Sequence, residues 1–303
     1  MKLGRETRLR ATKEFVEYHR KLLGEEYEQF ATALEQRGRK ICLRVNTIKC
    51  TIEAFRVYLL RKNKAFKPLP LCPECFWVEG NEWDTLEHRL GYYYIQSIAS
   101  ILPTIVLNPK PEEKILDLCA APGSKTTHIA QRMQNKGLII ANDNNFRRIR
   151  GLVYNLQRCG VSNTIVTIQD GCRVTFPLRF DRVLVDAPCS NIGTATKNPE
   201  VLKIWTLKRV NQLSVVQKKL LQNAFHHLKE KGVLVYSTCT TSIEENESVI
   251  EYMLDNFDVR LERITIPGIK LSPGLTEETK ACIRIYPHYC HGESYFIAKL
   301  RKK

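Results

Sequence analysis

Six short apolar runs, separated by amphipathic stretches, organise the chain from about residue 92 onward. They are Lys114–Leu118 (KILDL), Leu138–Asn142 (LIIAN), Thr164–Gln169 (TIVTIQ), Val183–Asp186 (VLVD), Val233–Ser237 (VLVYS) and Tyr295–Leu300 (YFIAKL). Runs this short and this apolar read as strands buried on both faces. Between them, Lys125–Met133, Phe146–Arg158, Leu213–Leu228 and Glu244–Asn256 repeat apolar residues at helical spacing. That alternation calls for an α/β fold with a mainly parallel, doubly wound sheet. Crossover handedness then sets the first three strands on one side of a switch point and the later ones on the other. Ligands collect outside the carboxyl ends of the strands there.

A different pattern precedes it. Between residues 12 and 36, Phe15, Leu22, Leu23, Tyr27, Phe30 and Leu34 recur at helical spacing among charges. Ile41–Val45 reads as a strand, Thr51 caps a helix running to about Arg61, and strands follow near Phe66 and Phe76. The chain therefore divides into a small α+β unit, residues 1–90, and a larger domain, residues 91–303. The net charge is +15, and from Arg37 to Lys67 ten basic residues face one acidic residue. These are Arg37, Arg39, Lys40, Arg44, Lys49, Arg56, Arg61, Lys62, Lys64 and Lys67, opposed by Glu53. Such a stripe attracts polyanions without reading their sequence, which points to RNA as a partner.

No run is long and apolar enough to cross a bilayer, and MKLGRETRLR has no apolar signal core. Eleven scattered cysteines, an odd number, are unlike a disulfide framework. A reducing cytoplasmic setting, no membrane and a monomer are the expectations, with thiols free to react.

Two of those thiols sit just past strands. Asp186-Ala187-Pro188-Cys189 follows the fourth run and Ser237-Thr238-Cys239-Thr240 follows the fifth. Neighbouring strands lie about 4.8 Å apart, so two such sulfurs can face one flat substrate. Thr241-x-x-Glu244 and Ser242-x-x-Glu245 both fit a capping box, which predicts a helix opening close to Cys239 and a field favouring its thiolate. The first strand runs into Asp117-Leu118-Cys119-Ala120-Ala121-Pro122-Gly123-Ser124-Lys125-Thr126. It lacks the first glycine of a phosphate-binding loop, and Ser124 separates Gly123 from Lys125. The small residues instead let backbone approach a ligand. Asp143 and Asp170, after the second and third strands, suit a ribose diol and an adenine amino group.

These motifs, with LRVNTIK at Leu43–Lys49, GYYYIQ at Gly91–Gln96, EENE after YSTCT and RIYPH at Arg284–His288, resemble the Nop2/Sun (RsmB/RsmF) family of RNA cytosine-5 methyltransferases. The likeness spans residues 41–300. It implies a Rossmann-like class I methyltransferase sheet, S-adenosylmethionine as methyl donor, and an amino-terminal unit like a truncated RNA-recognition fold. By the resemblance, Cys119, Ala120, Ala121, Pro122, Gly123, Ser124 and Lys125 hold the methionine portion, Asp143 the ribose and Asp170 the adenine. Arg148 supports the pocket, and Asp186 borders it. Cys239 is the nucleophile, Cys189 releases product, and Asp186 and Lys125 contact the base. Ser124 and Asn191 stand where the family commonly has glycine.

The resulting expectation is methyl transfer to carbon 5 of cytosine through a covalent Cys239 adduct at carbon 6. Chain length puts tRNA ahead of rRNA as substrate. A catalytically silent RNA-binding protein on the same scaffold is the alternative from another class. No metal is assigned: Cys72-Pro73-Glu74-Cys75 has knuckle spacing, but its partners would have to come from Cys282, His288, Cys290 and His291, far along the chain. His226-His227 reads as a helix end and Trp205 as packing. Of Tyr92, Tyr93 and Tyr94, at least one should be buried.

Overall fold

The computed structural model describes residues 10–35, 40–80, 83–290 and 293–303, without the side chains of Lys40 and Cys290. Helices α1 (Lys13–Leu23) and α2 (Tyr27–Glu35) come first. Thr12 caps α1, its hydroxyl accepting from the Phe15 amide at 3.1 Å. Their apolar faces bury Phe15, Phe30 and Leu34 against Ile192, Leu202, Trp205 and Tyr286. These helices therefore pack on the segment that follows Cys189. Trp205 is a packing residue, as expected.

Next come β1 (Lys40–Val45), α3 (Ile52–Arg61), β2 (Phe66–Leu69), β3 (Cys72–Glu79), α4 (Leu86–Arg89) and β4 (Tyr93–Ile95). The strands form an antiparallel sheet in the order β2-β3-β1-β4, with Leu43, Val45, Phe55, Leu59, Phe76 and Tyr93 filling the space under α3. Tyr93 and Tyr94 are buried and Tyr92 is exposed. The basic stripe is only partly on the surface. Lys49, Arg56, Arg61, Lys62 and Lys67 are exposed, but Arg44 is 1% exposed and donates to Thr127 Oγ1 at 2.8 Å. Alternation along β1 turns Arg44 away from Leu43 and Val45, onto a face that the larger domain covers. Arg37, Arg39 and the Lys40 side chain lie outside the described residues.

The larger domain runs through α5 (Ile98–Leu107), β5 (Lys114–Asp117), α6 (Ser124–Arg132), β6 (Leu138–Asp143), α7 (Phe146–Cys159), β7 (Thr164–Ile168), β8 (Phe180–Asp186), α8 (Glu200–Lys203), α9 (Leu207–His227) and β9 (Leu228–Thr238). It ends with α10 (Glu247–Asn256), β10 (Val259–Glu262), β11 (Ser272–Pro273), β12 (Ile283–Ile285), α11 (Pro287–Cys290) and β13 (Tyr295–Lys302). The sheet order is β11-β12-β13-β9-β8-β5-β6-β7, parallel from β9 to β7, with β13 antiparallel to β9. The switch point expected from the crossover rule falls between β5 and β8. No helix among the described residues is long and apolar enough to cross a membrane.

Two helix starts differ from the sequence pattern. The helix expected from Leu213 begins at Leu207, where the Thr206 hydroxyl accepts from the Arg209 amide and Val210 joins the Trp205 cluster. The helix expected from Glu244 begins at Glu247. Neither capping box forms, because tertiary partners take both carboxylates. Tyr18 OH donates to Glu244 Oε2 at 2.7 Å, and the Ser190 amide donates to Glu245 Oε1 at 2.9 Å. The first turn of α10 thus opens eight residues past Cys239, not directly after it.

Candidate active site

Strands β8 and β9 are parallel neighbours, with Asp186 opposite Ser237 in register. Each chain continues for only a few residues before its cysteine, so both sulfurs emerge above the same sheet edge. Cys189 Sγ and Cys239 Sγ are 3.3 Å apart. Cys239 is partly exposed, whereas Cys189 behind it is 4% exposed. Backbone bonds tie the two loops together: the Ala187 amide donates to the Ser237 carbonyl at 2.9 Å and the Gly193 amide to the Cys239 carbonyl at 2.7 Å. A buried cluster beneath them adds to this. Ser190 Oγ lies 2.7 Å from Thr240 Oγ1 and donates to Glu245 Oε2 at 2.5 Å.

Beside the sulfurs, Lys125 Nζ donates to Asp186 Oδ2 at 2.7 Å, and to Ser100 Oγ and Tyr295 OH at 3.1 Å each. Ser237 Oγ fills the other Asp186 oxygen at 2.7 Å. Burial works against the Lys125 ammonium, but Asp186 and Tyr295 outweigh it and its pKa is raised, so it stays charged. Tyr295, pushed up by burial and then by Asp186, stays a neutral phenol. Cys239 is pushed well above the ordinary thiol range. Its contact with Cys189 contributes most, then burial, then the charges of Asp186 and Glu293. The resting residue is a thiol, contrary to the thiolate tendency expected from a nearby helix.

The turn after β5 contains a cis peptide between Ala121 and Pro122. Gly123 has φ of +100°, and a Cβ there would stand 2.8 Å from a Leu152 methyl carbon. Only glycine meets both demands. Asp143, ending β6, accepts from the Ala121 amide at 3.2 Å and the Asn145 amide at 3.0 Å. Arg148 lies 3.3 Å from Asp143 Oδ2 and also donates to the Ala121 carbonyl, bracing the turn from α7. Asp117 accepts from Thr126 Oγ1 at 2.7 Å, and burial pushes its pKa up to about 7. Its second oxygen is buried with no partner.

The structure thus pairs Cys189 with Cys239 and Lys125 with Asp186, sets Asp186 near enough for its charge to act on Cys239, and links Ala120–Gly123, Asp143 and Arg148 through the braced turn. Asp170 follows β7, the strand paired with β6, and is 56% exposed in its side chain. It accepts from the Cys172 amide at 3.0 Å and touches none of the others. Sequence reasoning missed Ser100 and Tyr295 as partners of Lys125, and Ser237 and Glu245 as supports. Tyr295 opens an apolar strand and could have been placed by topology; nothing in the sequence marks Ser100.

The other cysteines behave differently. Cys72 Sγ and Cys75 Sγ are 2.8 Å apart, and ligand atoms of Cys72, Glu74 and His128 lie within 4.8 Å of one another. Glu74 Oε1 is 3.1 Å from His128 Nε2 and accepts from Arg132 Nη2 at 2.9 Å. Cys282 is buried in the core of the larger domain and His288 lies 3.3 Å from Glu26, so neither completes a site with Cys72. The Cys290 side chain and His291 lie outside the described residues. His227 bonds the Phe176 amide and faces the Asn223 carbonyl at the end of α9, a structural role.

The family described as 16S rRNA methyltransferase RsmB/F matches residues 104–301, and the N-terminal domain of 16S rRNA methyltransferase RsmF matches residues 12–98. Ribosomal RNA small subunit methyltransferase F of Vibrio parahaemolyticus is 39% identical over 91% of this chain and 59% of its own length. The protein of the same name from Erwinia tasmaniensis is 36% identical over 95% of this chain and 63% of its own. The chain therefore spans about 60% of the length of these relatives. Among solved structures, a methyltransferase homolog protein from Pyrococcus horikoshii superposes with a TM-score of 0.87, at 35% identity, over 99% of this chain and 100% of that one. NSun6 from Pyrococcus horikoshii with SFG gives 0.88 at 26% identity, over 96% and 98%.

Proposed function

The chain belongs to the 16S rRNA methyltransferase RsmB/F family, and from that membership we propose that it methylates carbon 5 of a cytosine in RNA, with Cys239 as nucleophile. The observation that carries this reading is the pair of sulfurs 3.3 Å apart at adjacent strand ends, next to a protonated Lys125 bonded to Asp186.

Carbon 5 of an intact cytosine ring is a weak nucleophile. Cys239, after losing its proton to solvent, adds to carbon 6, which breaks aromaticity and leaves carbon 5 enamine-like. Negative charge then develops over the ring nitrogen and carbonyl. The Lys125 ammonium is fixed beside that region, where a preoriented charge helps most. Asp186 already accepts from Lys125 and Ser237, so its remaining lone pairs suit the exocyclic amino group of the base. Once carbon 5 carries the new methyl group, Cys189 removes the carbon 5 proton while the bond from carbon 6 to Cys239 breaks. Cys239 is the more exposed of the two sulfurs, which fits attack from it and proton handling by Cys189.

S-adenosylmethionine supplies the electrophilic methyl group when bound. The residues fit it: the turn after β5 is built of small residues, and Asp143 is oriented by Ala121 and Arg148 at the place for a ribose diol. Asp170, exposed on the next loop, is the candidate for an adenine amino group.

Small-subunit ribosomal RNA, rather than tRNA, is the substrate we favour. The named relatives support it, and they outweigh the argument from chain length because the chain spans only part of them. The test is transfer of labelled methyl to unmodified small-subunit rRNA and to tRNA by wild type and Cys239→Ser. Equal activity in the variant would remove Cys239 from its role, and methylation of tRNA alone would reverse the substrate assignment. A Cys189→Ser variant should accumulate an RNA adduct visible on a denaturing gel.

A further inference from the structure

Asn191 lies two residues beyond Cys189, at φ 60° and ψ 26°. This left-handed region suits asparagine and glycine and strains most other residues. The turn aims its side chain back at the sulfurs. Oδ1 is 3.2 Å from Cys239 Sγ and 3.5 Å from Cys189 Sγ. The backbone around it is fixed. The Thr194 amide and hydroxyl both bond the Asn191 carbonyl, at 2.9 and 2.8 Å. Gly193 is pinned between Cys239 and Ser294, where an added Cβ would collide with the Ser294 carbonyl. The place of the Asn191 side chain beside the sulfurs is therefore set by the loop itself.

An amide oxygen only accepts, so it bonds a thiol S–H and repels a thiolate. We propose that Asn191 is a positioning residue for the sulfur pair, its amide oxygen holding Cys239 as the protonated thiol and so guarding the nucleophile while no base fills the cleft. The proposal rests on reading Cys239 as the nucleophile. The other groups around that sulfur come from four elements: Cys189 and Asp186 from β8 and its loop, Lys125 from α6, Tyr295 from β13, and Glu293 just before β13. Lys125 is spent on Asp186, and Lys197 lies 2.5 Å from Glu293. The contact with Cys189, burial and those two carboxylates also favour the thiol, so loss of the Asn191 oxygen should lower the barrier to ionisation in part and not abolish it.

The test is the rate of Cys239 alkylation by iodoacetamide between pH 7 and 10, followed by peptide mass spectrometry on the full chain. Asn191→Gly keeps the left-handed turn and removes the acceptor. Asn191→Asp keeps the shape and adds charge. With a hydrogen bond of ordinary strength at stake, the glycine variant should alkylate roughly three- to tenfold faster at a given pH. The aspartate variant should alkylate several-fold more slowly. Opposite signs support the proposal, because simple loosening of the loop would speed both. Unchanged rates in both variants, or acceleration in both, overturn it. Methyl transfer by wild type is measured alongside. Shifted alkylation without any methyl transfer would defeat the functional reading and leave Asn191 only as the partner of a buried thiol, and methyl transfer with unshifted alkylation would keep the functional reading and overturn the role of Asn191.

Discussion

Among the described residues, two groups of thiols crowd together, and only one looks like chemistry. Cys72 and Cys75, 2.8 Å apart, are sealed between the amino-terminal sheet and α5, with Cys42, Ile98 and Ile101 around them. Cys189 and Cys239, 3.3 Å apart, stand at the open ends of parallel strands. Around the first pair, Glu74 is spent on His128 and Arg132, and Arg44 is buried with its guanidinium on Thr127. Around the second, Lys125 and Asp186 are paired but border the cleft. Proximity of sulfurs is therefore weak evidence for a site. Access, together with charged partners fixed beside that access, separates a reactive pair from a packed one.

The sharpest attack on that contrast is a matched pair of substitutions. Cys239→Ser should lower methyl transfer by at least about a thousandfold, since a hydroxyl replaces the attacking thiolate. Cys72→Ser buries a hydroxyl in an apolar cluster and should cost about 1–2 kcal/mol of stability, with the rate constant within about twofold of wild type. Initial rates and thermal melts of both proteins decide it. A large loss of kcat in the Cys72 variant with an unchanged melt would dissolve the distinction.

Lys125→Met comes next. Removing one preorganised charge from a site where negative charge develops costs on the order of a hundredfold in kcat. Because Asp186 then loses its partner, some loss of stability should accompany it. An effect on KM alone would mean that Lys125 helps to bind the base but does not stabilise the transition state.

These two sites differ in how far the sequence discloses them. Cys189 and Cys239 were legible because each follows an apolar run whose strand character leaves little choice about where the chain emerges. The switch point followed from the same runs. The start of α10 was not legible. Thr241, Ser242, Glu244 and Glu245 carry a complete local cap signal, and Tyr18 and Ser190, distant in sequence, take the carboxylates first. Arg44 misled in a similar way. Period-two alternation turns it off the Leu43–Val45 face, but no local pattern says that α6 covers the opposite face and buries it beside Thr127. Local rules fixed backbone direction well and failed wherever a side chain had a choice of partners from another element.

The packed pair also predicts an acid response of intermediate size. Burial lowers the pKa of His128 to about 3, and of His19 to about 4, from an ordinary value near 6.5. The unfolded chain binds protons at these imidazoles between pH 6.5 and those lower values, and the folded chain does not. Stability is thus present in full above about pH 6.5 and falls as pH drops through the window. Glu74, held low by His128 and Arg132 against the opposing effect of burial, pushes the same way below about pH 4.5. His128→Gln should flatten the slope of unfolding free energy between pH 6.5 and 4.5, by about 1–3 kcal/mol across that range. A slope unchanged in the variant would mean that His128 is protonated in the native protein.

The smallest effect concerns the two faces of the amino-terminal unit. Its inner face hides Arg44 with the packed thiols, while Arg56, Arg61, Lys62 and Lys67 are exposed on the outer side. If those cations meet phosphates, each lost contact should reduce the slope of log affinity against log salt by about 0.7–0.9. Arg61→Ala combined with Lys62→Ala should therefore lower that slope by roughly 1.5 and weaken RNA binding several-fold near 0.15 M salt. At saturating RNA, kcat should not move, because neither residue touches the sulfurs or the Lys125–Asp186 pair. Filter binding across a salt series measures it. A slope equal to wild type would assign the RNA contact to some other surface and leave the outer face a solvated one.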